Sequence, residues 1–209
     1  MRPDSLIFDL DGTLWDTTDV CAAAWNRVTH ELGIEARSVT ADDMRTVAGL
    51  PLTDAVRRVF SELSEDEVLR ISEKSQIEEN RALAQSGGVL YPGVSDEVPR
   101  LSRERPLMIV SNCQAGYIEV FLRTSGLGRH FEDFECWGNT GKAKGENLTS
   151  VIARNRLRAP WFVGDTEGDQ RAARENSVHF VHAAYGFGTV SDCDVRIERF
   201  AELVGLVNV

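Results

Sequence analysis

Short apolar runs recur along the chain, and each ends abruptly in glycine, small polar or acidic residues. The first is residues 5–10 (SLIFDL). Residues 106–110 run into Ser111-Asn112, 131–137 into Gly138-Asn139, 161–163 into Gly164-Asp165, and 178–184 into Tyr185-Gly186-Phe187-Gly188. Brief runs of this kind, bounded by turn residues, are the pattern of strands buried on both faces. Between them, residues 94–103, 117–125, 146–155 and 170–175 carry helical spacing, and Gly126 stands where the second of these helices would take its C-terminal cap. Strands alternating with helices predict an α/β fold, a doubly wound parallel sheet.

The stretch 17–88 breaks this rhythm. It holds no convincing strand but shows helical periodicity at 20–32, 52–63 and 65–84, separated by Gly33 and Gly49-Leu50-Pro51 and closed by Gly87-Gly88. It reads as a helical insert, 17–88, placed after the first strand, leaving 1–16 and 89–209 as the α/β core; the alternative is that these helices simply cover the sheet. A length of 209 residues suits one main core plus a smaller insert.

Charge narrows the range of partners. A net charge of -10 disfavours nucleic acid and anionic membrane surfaces, which are bound through clustered Lys and Arg. Cys21, Cys113, Cys136 and Cys193 are widely spaced, form no CxxC pair, and read as reduced thiols. The N-terminal MRPDSLIFDLDG reaches an Asp too early for a signal-peptide apolar region, and no apolar run approaches the roughly 18 residues of a membrane span. The expectation is a soluble, cytoplasmic protein.

Chemistry gathers where the apolar runs end. Asp9 and Asp11 follow the first, Ser111 and Asn112 the second, and Asp165 and Asp169 the fourth. In an open parallel sheet these carboxyl ends share one edge, where ligands bind. Several carboxylates brought together resist joint ionisation unless a cation joins them. Mg²⁺ suits a set of one or two carboxylates, a carbonyl and a phosphate oxygen. Metal-assisted phosphoryl chemistry is the leading expectation.

Asp9-Leu10-Asp11-Gly12-Thr13-Leu14-Trp15-Asp16 resembles the DxDGTLxD motif of the haloacid dehalogenase superfamily, in particular its phosphoglycolate-phosphatase-like members with a helical cap. Ser111 is placed like the second motif's Ser or Thr. Lys144 resembles the third motif's lysine, although Lys142 stands two residues away. Gly164-Asp165-Thr166-Glu167-Gly168-Asp169 is similar to the acidic fourth motif, GDxxxD. Gly49-Leu50-Pro51 and Tyr91-Pro92-Gly93 resemble landmarks within and after the cap. The resemblance implies an Mg²⁺-dependent phosphatase acting on small phosphate monoesters of the phosphoglycolate, sugar phosphate or mononucleotide class. Asp9 would be the nucleophile that forms an aspartyl-phosphate, and Asp11 the general acid and base. It further implies that Asp9, the Asp11 carbonyl and Asp165 hold Mg²⁺, with Asp169 orienting from behind. Ser111 and Lys144 would bind the phosphoryl oxygens, and Asn112 would either join them or only stabilise its loop.

A phosphomutase shares these motifs, and a receiver-like phospho-acceptor module shares the clustered acids and lysine. Other signals fail: 138–143 does not satisfy G-x-x-x-x-G-K-[ST], no G-x-S-x-G elbow occurs, and the four histidines lack zinc spacing. The expected partner is a small phosphorylated metabolite, and the expected state is a monomer or weak homodimer. Trp15, Trp25, Arg45, Arg57 and Lys74 are the side chains of the insert and its edge that could meet a leaving group.

Overall fold

A computed structural model describes residues 2–207. The chain enters through β1 (Ser5–Phe8) and the short β2 (Trp15–Asp16), then forms four helices, α1 (Thr18–Leu32), α2 (Ala41–Val47), α3 (Leu52–Val59) and α4 (Glu65–Ser86). It returns through β3 (Val89–Leu90) to α5 (Val94–Leu101), β4 (Leu107–Ser111), α6 (Tyr117–Thr124), β5 (Asp133–Cys136), α7 (Trp137–Thr140) and α8 (Lys144–Asn155). The last part comprises β6 (Pro160–Gly164), α9 (Glu167–Glu175), β7 (His179–Ala183), β8 (Val195–Ile197) and α10 (Glu202–Val207).

The doubly wound parallel sheet expected from the alternation is present. Its six strands lie in the order β5-β4-β1-β6-β7-β8, all neighbours parallel. All four β1 residues are buried, because both faces of this central strand are covered. Leu6 and Phe8 join the cluster on one face with Leu107, Ile109 and Phe121, whereas Ile7 points the other way to Met108, Val110, Phe162 and Leu148. Successive side chains thus serve opposite layers, which is why the strand is continuously apolar. From β1 the chain builds outward through β4 and β5, then returns to β1's other side and builds through β6, β7 and β8. That reversal places a crevice at the carboxyl end of β1.

The insert has an apolar centre of its own, made by Trp25, Val28, Val56, Phe60, Val68 and Ile71. Its entry and exit are joined by an antiparallel pair of strands in which Trp15 faces Leu90 and Asp16 faces Val89. Gly88 permits this contact, since a Cβ there would come 2.7 Å from the Trp15 ring. The helical pattern at 65–84 is realised in α4, started by a capping box between Ser64 and Glu67. The helix expected over 52–63 ends earlier, at Val59, with Phe60 turning inward as its cap residue.

Other elements have no counterpart in the sequence pattern. α2 is only seven residues long and is set by the Thr40–Asp43 capping box. β2, β3 and β8 span two or three residues each, too short for any period to register. No helix among the described residues is long and apolar enough to cross a membrane.

Candidate active site

Asp9 follows β1 directly and is 2% exposed. Its backbone N–H donates to the Val163 carbonyl at 2.9 Å, so the residue is anchored to β6, the strand that delivers Asp165. Lys144, the first residue of α8, places its Nζ 2.9 Å from Asp9 Oδ1 and 2.6 Å from Asp169 Oδ1, itself only 4% exposed. The Asp9 contact is an ion pair and not an aligned hydrogen bond, so Asp9 Oδ1 stays buried without a hydrogen-bond partner. Burial, seconded by the Asp169 charge and opposed by Lys144, pushes the Asp9 carboxyl up to about 7. Burial alone would depress the lysine, but Asp169 and Asp9 outweigh it and hold the ammonium above its ordinary value. The structure therefore brings Lys144, not the exposed Lys142, to the site.

Asp9, Asp165 and Asp169 each offer one carboxylate oxygen within 4.8 Å of the others. They are not equally free. Asp169 Oδ1 takes the lysine, while Oδ2 accepts from the Thr166 N–H at 2.9 Å and the Thr166 hydroxyl at 2.6 Å in the capping box of α9. Both of its oxygens are committed to orienting Lys144 and starting a helix. Asp165 Oδ2 accepts from the N–H groups of Phe187 at 2.8 Å and Gly188 at 3.3 Å, and Oδ1 has only a long 3.5 Å contact from the Thr13 hydroxyl. Burial first, then Asp169 and Asp9, holds the Asp165 carboxyl well above its usual range.

The backbone closes tightly on Asp165. At Gly12, whose φ is +79°, a Cβ would lie 2.2 Å from Asp165 Oδ2, and at Gly186 it would lie 2.2 Å from the Gly12 carbonyl. Only glycine combines that left-handed conformation with so close an approach. The glycine pair in 186–188 thus serves to seat Asp165.

Asp11 is partly buried, and its Oδ1 meets the hydroxyls of Thr17 and Tyr117, each at 2.9 Å. Those hydroxyls also meet each other at 2.8 Å. Both hydroxyls donate to the Asp11 carboxylate and favour its charged form. Burial raises this carboxyl to about 6 against the lowering effect of Tyr117 and Thr17, near the value a group needs to exchange protons at neutral pH.

Ser111 closes β4, is 4% exposed, and lines the same cavity as Asp9 and Asp11. Asn112 also lines it, but its Nδ2 donates to the Gly49 carbonyl at 2.8 Å, so in this arrangement its amide bridges core and insert. The Gly49-Leu50-Pro51 break lies over the site, with Gly49 against Thr166. Two more links tie the insert down: Asn80 Nδ2 donates to the Ala115 carbonyl at 2.9 Å, and Gln114 Nε2 donates to Glu79 Oε2 at 2.6 Å.

Of the side chains expected to meet a leaving group, only Trp25 lines the cavity. Trp15 is instead packed edge-on against Tyr117 and Phe121. Arg45 pairs with Asp16 and Asp42, Arg57 with Asp54 and Glu65, and Lys74 with Glu31. Long cations on a helical surface find acidic neighbours three or four residues away or on the next helix more readily than a buried pocket. Sequence reasoning missed Tyr117, Gln114 and Glu79, each an isolated polar residue within a helix or loop, outside any motif.

A parallel α/β sheet with buried carboxylates and a lysine at the carboxyl edge of its central strand defines a hydrolase-type site. Comparison with known proteins agrees. The chain belongs to the haloacid dehalogenase-like hydrolase family, whose model matches residues 6–183. It is similar to the phosphoglycolate phosphatase of Photobacterium profundum, at 26% identity over 97% of this chain and 94% of the relative. It is also similar to that of Agrobacterium fabrum, at 28% identity over 94% and 89%. Among solved structures, a haloacid dehalogenase-like family hydrolase from Streptococcus pneumoniae superposes with a TM-score of 0.85 at 20% identity, covering 98% of each chain. A predicted phosphoglycolate phosphatase from Haemophilus somnus gives 0.85 at 19% identity, covering 99% of this chain and 98% of that one. These structural likenesses establish the shared fold.

Proposed function

We propose that the protein is a Mg²⁺-dependent phosphatase that hydrolyses small phosphate monoesters through an aspartyl-phosphate on Asp9. The observation that carries this reading is the Asp9 carboxylate: buried, lacking an aligned partner on Oδ1, flanked by Lys144 and Asp165, and opening on a cavity shared with Asp11. Phosphatases among the relatives support it. The donor set fits a hard divalent cation, because three buried carboxylates share a single ammonium and Asp165 Oδ1 has only the long Thr13 contact, whereas both oxygens of Asp169 are used. Asp9, Asp165 and the Asp11 carbonyl would hold Mg²⁺, which supplies charge neutralisation for the phosphoryl group and the carboxylates.

The chain's own groups do the rest. Asp9 attacks phosphorus and expels the alkoxide, splitting one hard displacement into two easier ones. Asp11, held by Thr17 and Tyr117, gives its proton to the leaving oxygen and later takes one from the hydrolytic water. Lys144 stabilises charge on the phosphoryl oxygens, fixed in place by Asp169, and Ser111 contributes its hydroxyl from the end of β4. Helices α1–α4 act as a cap domain that excludes bulk water. The protein works as a cytoplasmic monomer or weak homodimer on small phosphorylated metabolites.

Turnover of a generic aryl phosphate with Mg²⁺, compared with EDTA-treated protein and with Asp9→Asn, tests the reading. Sustained turnover that is lost on chelation and in the variant is the expected result. A stable phosphorylated Asp9 with no turnover would instead mark a phospho-acceptor module.

A further inference from the structure

We propose that the leaving-group end of the pocket accepts a phosphate monoester whose alcohol carries a hydrogen-bond donor, a hydroxyl or an ammonium, and rejects one carrying a carboxylate, with Glu79 setting that preference. This rests on the phosphatase reading and narrows its substrate class.

Glu79 extends from α4 of the insert into the cavity that holds Asp9 and Asp11, and it is 4% exposed. Its Oε1 accepts from the Trp25 indole N–H and its Oε2 from Gln114 Nε2 at 2.6 Å. The Trp25 indole and the Gln114 amide, both lining the cavity, are therefore already engaged. Among the described residues, no Lys, Arg or His lines the cavity. Arg45, Arg57 and Lys74 of the insert pair with surface acids, and Lys144 is committed to Asp9 and Asp169 at the phosphoryl end.

A substrate carboxylate placed beside Glu79 would meet two acidic side chains, Glu79 and Asp11, with no cation among the lining residues and with the Trp25 and Gln114 donors already engaged, a condition under which a buried charge is costly. A hydroxyl or ammonium would instead find carboxylate lone pairs. Burial pushes the Glu79 carboxyl up to about 7, and a ligand donor would favour its charged form. The other walls, among them Trp25, Met44, Val47, Leu52 and Ala55, suit a carbon skeleton. The cavity volume is about 90 Å³, which at roughly 10–15 Å³ per water position leaves room for a phosphoryl group and a few further atoms. The phosphoglycolate named for the relatives thus fits this pocket poorly, although the catalytic end is the same.

The experiment compares kcat/KM of the wild-type protein for 2-phosphoglycolate, 2-hydroxyethyl phosphate and phosphoethanolamine, leaving groups of similar length that end in carboxylate, hydroxyl and ammonium. We expect at least one donor-bearing substrate to exceed 2-phosphoglycolate by at least tenfold, a difference that Glu79→Gln narrows at least fivefold, chiefly through KM. The two donor arms tell hydroxyl from ammonium. Equal or faster turnover of 2-phosphoglycolate by the wild-type protein overturns the proposal, as does an unchanged ratio in folded Glu79→Gln. The wild-type ratio decides alone should that variant fail to fold. Turnover of p-nitrophenyl phosphate that Asp9→Asn abolishes keeps the phosphatase reading standing if the preference fails, whereas no turnover of any monoester overturns both.

Discussion

Lys144→Met isolates the charge balance on which the site depends. The ammonium sits 2.9 Å from Asp9 and 2.6 Å from Asp169, 4% exposed, and methionine is close enough in length that lost charge outweighs lost volume. Removing one partner from a buried ion pair strands the other and costs about 3–5 kcal/mol. At roughly 2–4 °C per kcal/mol for a chain of this size, Tm should fall by about 6–20 °C in EDTA. The pH dependence follows from the carboxyl groups. Asp9 is already raised from 3.8 to about 7 by burial and by Asp169, against the lysine, so losing the lysine raises it further. A carboxyl whose folded value exceeds its unfolded value binds more protons when folded, and stability falls as pH climbs through that window. The gap between variant and wild type should thus be widest near about pH 8 and shrink toward about pH 5. Thermal unfolding followed by circular dichroism, in EDTA across that range, measures it. A drop below about 2 °C at the alkaline end, or one that does not change with pH, would refute the reasoning.

Asp9→Asn should abolish turnover yet unfold no earlier than wild type in EDTA at neutral pH, because an amide removes a buried charge; earlier unfolding by calorimetry would count against that account. Gly12→Ala must place a Cβ 2.2 Å from Asp165 Oδ2 at a φ of +79°, so it should lower both Tm and activity, and a crystal structure with an unshifted Asp165 would contradict it. Asp11→Asn should cost about 10²–10⁴ in kcat for alkyl phosphates and much less for p-nitrophenyl phosphate, whose leaving group needs no proton. As an acid active below its value of about 6, Asp11 should give alkyl phosphate turnover a limb that declines as pH rises through that region, absent in Asp11→Asn; a matching limb in the variant assigns it to another group.

Residue order alone was enough to read the sheet and the edge at which the candidate site residues gather. Strands covered on both faces must be continuously apolar, so β1, β4, β6 and β7 could be read without a partner in view, and a parallel sheet obliges their carboxyl ends to share one edge. Asp9, Asp11, Ser111, Lys144 and Asp165 were legible for that reason and because they stand in compact motifs. What each atom does was decided only by tertiary structure. Nothing local says that Lys144 is buried between two carboxylates while Lys142 faces solvent, or that both oxygens of Asp169 are spent on Lys144 and Thr166. The same holds for Asn112, whose amide is drawn to Gly49 across 63 positions of chain, and for the Asp11–Thr17–Tyr117 triangle, whose members lie up to 106 apart. The pocket wall is the extreme case. Trp25, Glu79 and Gln114 come from three separate elements with no shared pattern, and surface cations that suggested specificity pair with neighbouring acids instead. Periodicity records which face of an element is buried, but a hydrogen bond between distant side chains leaves no period, and so only folding revealed it.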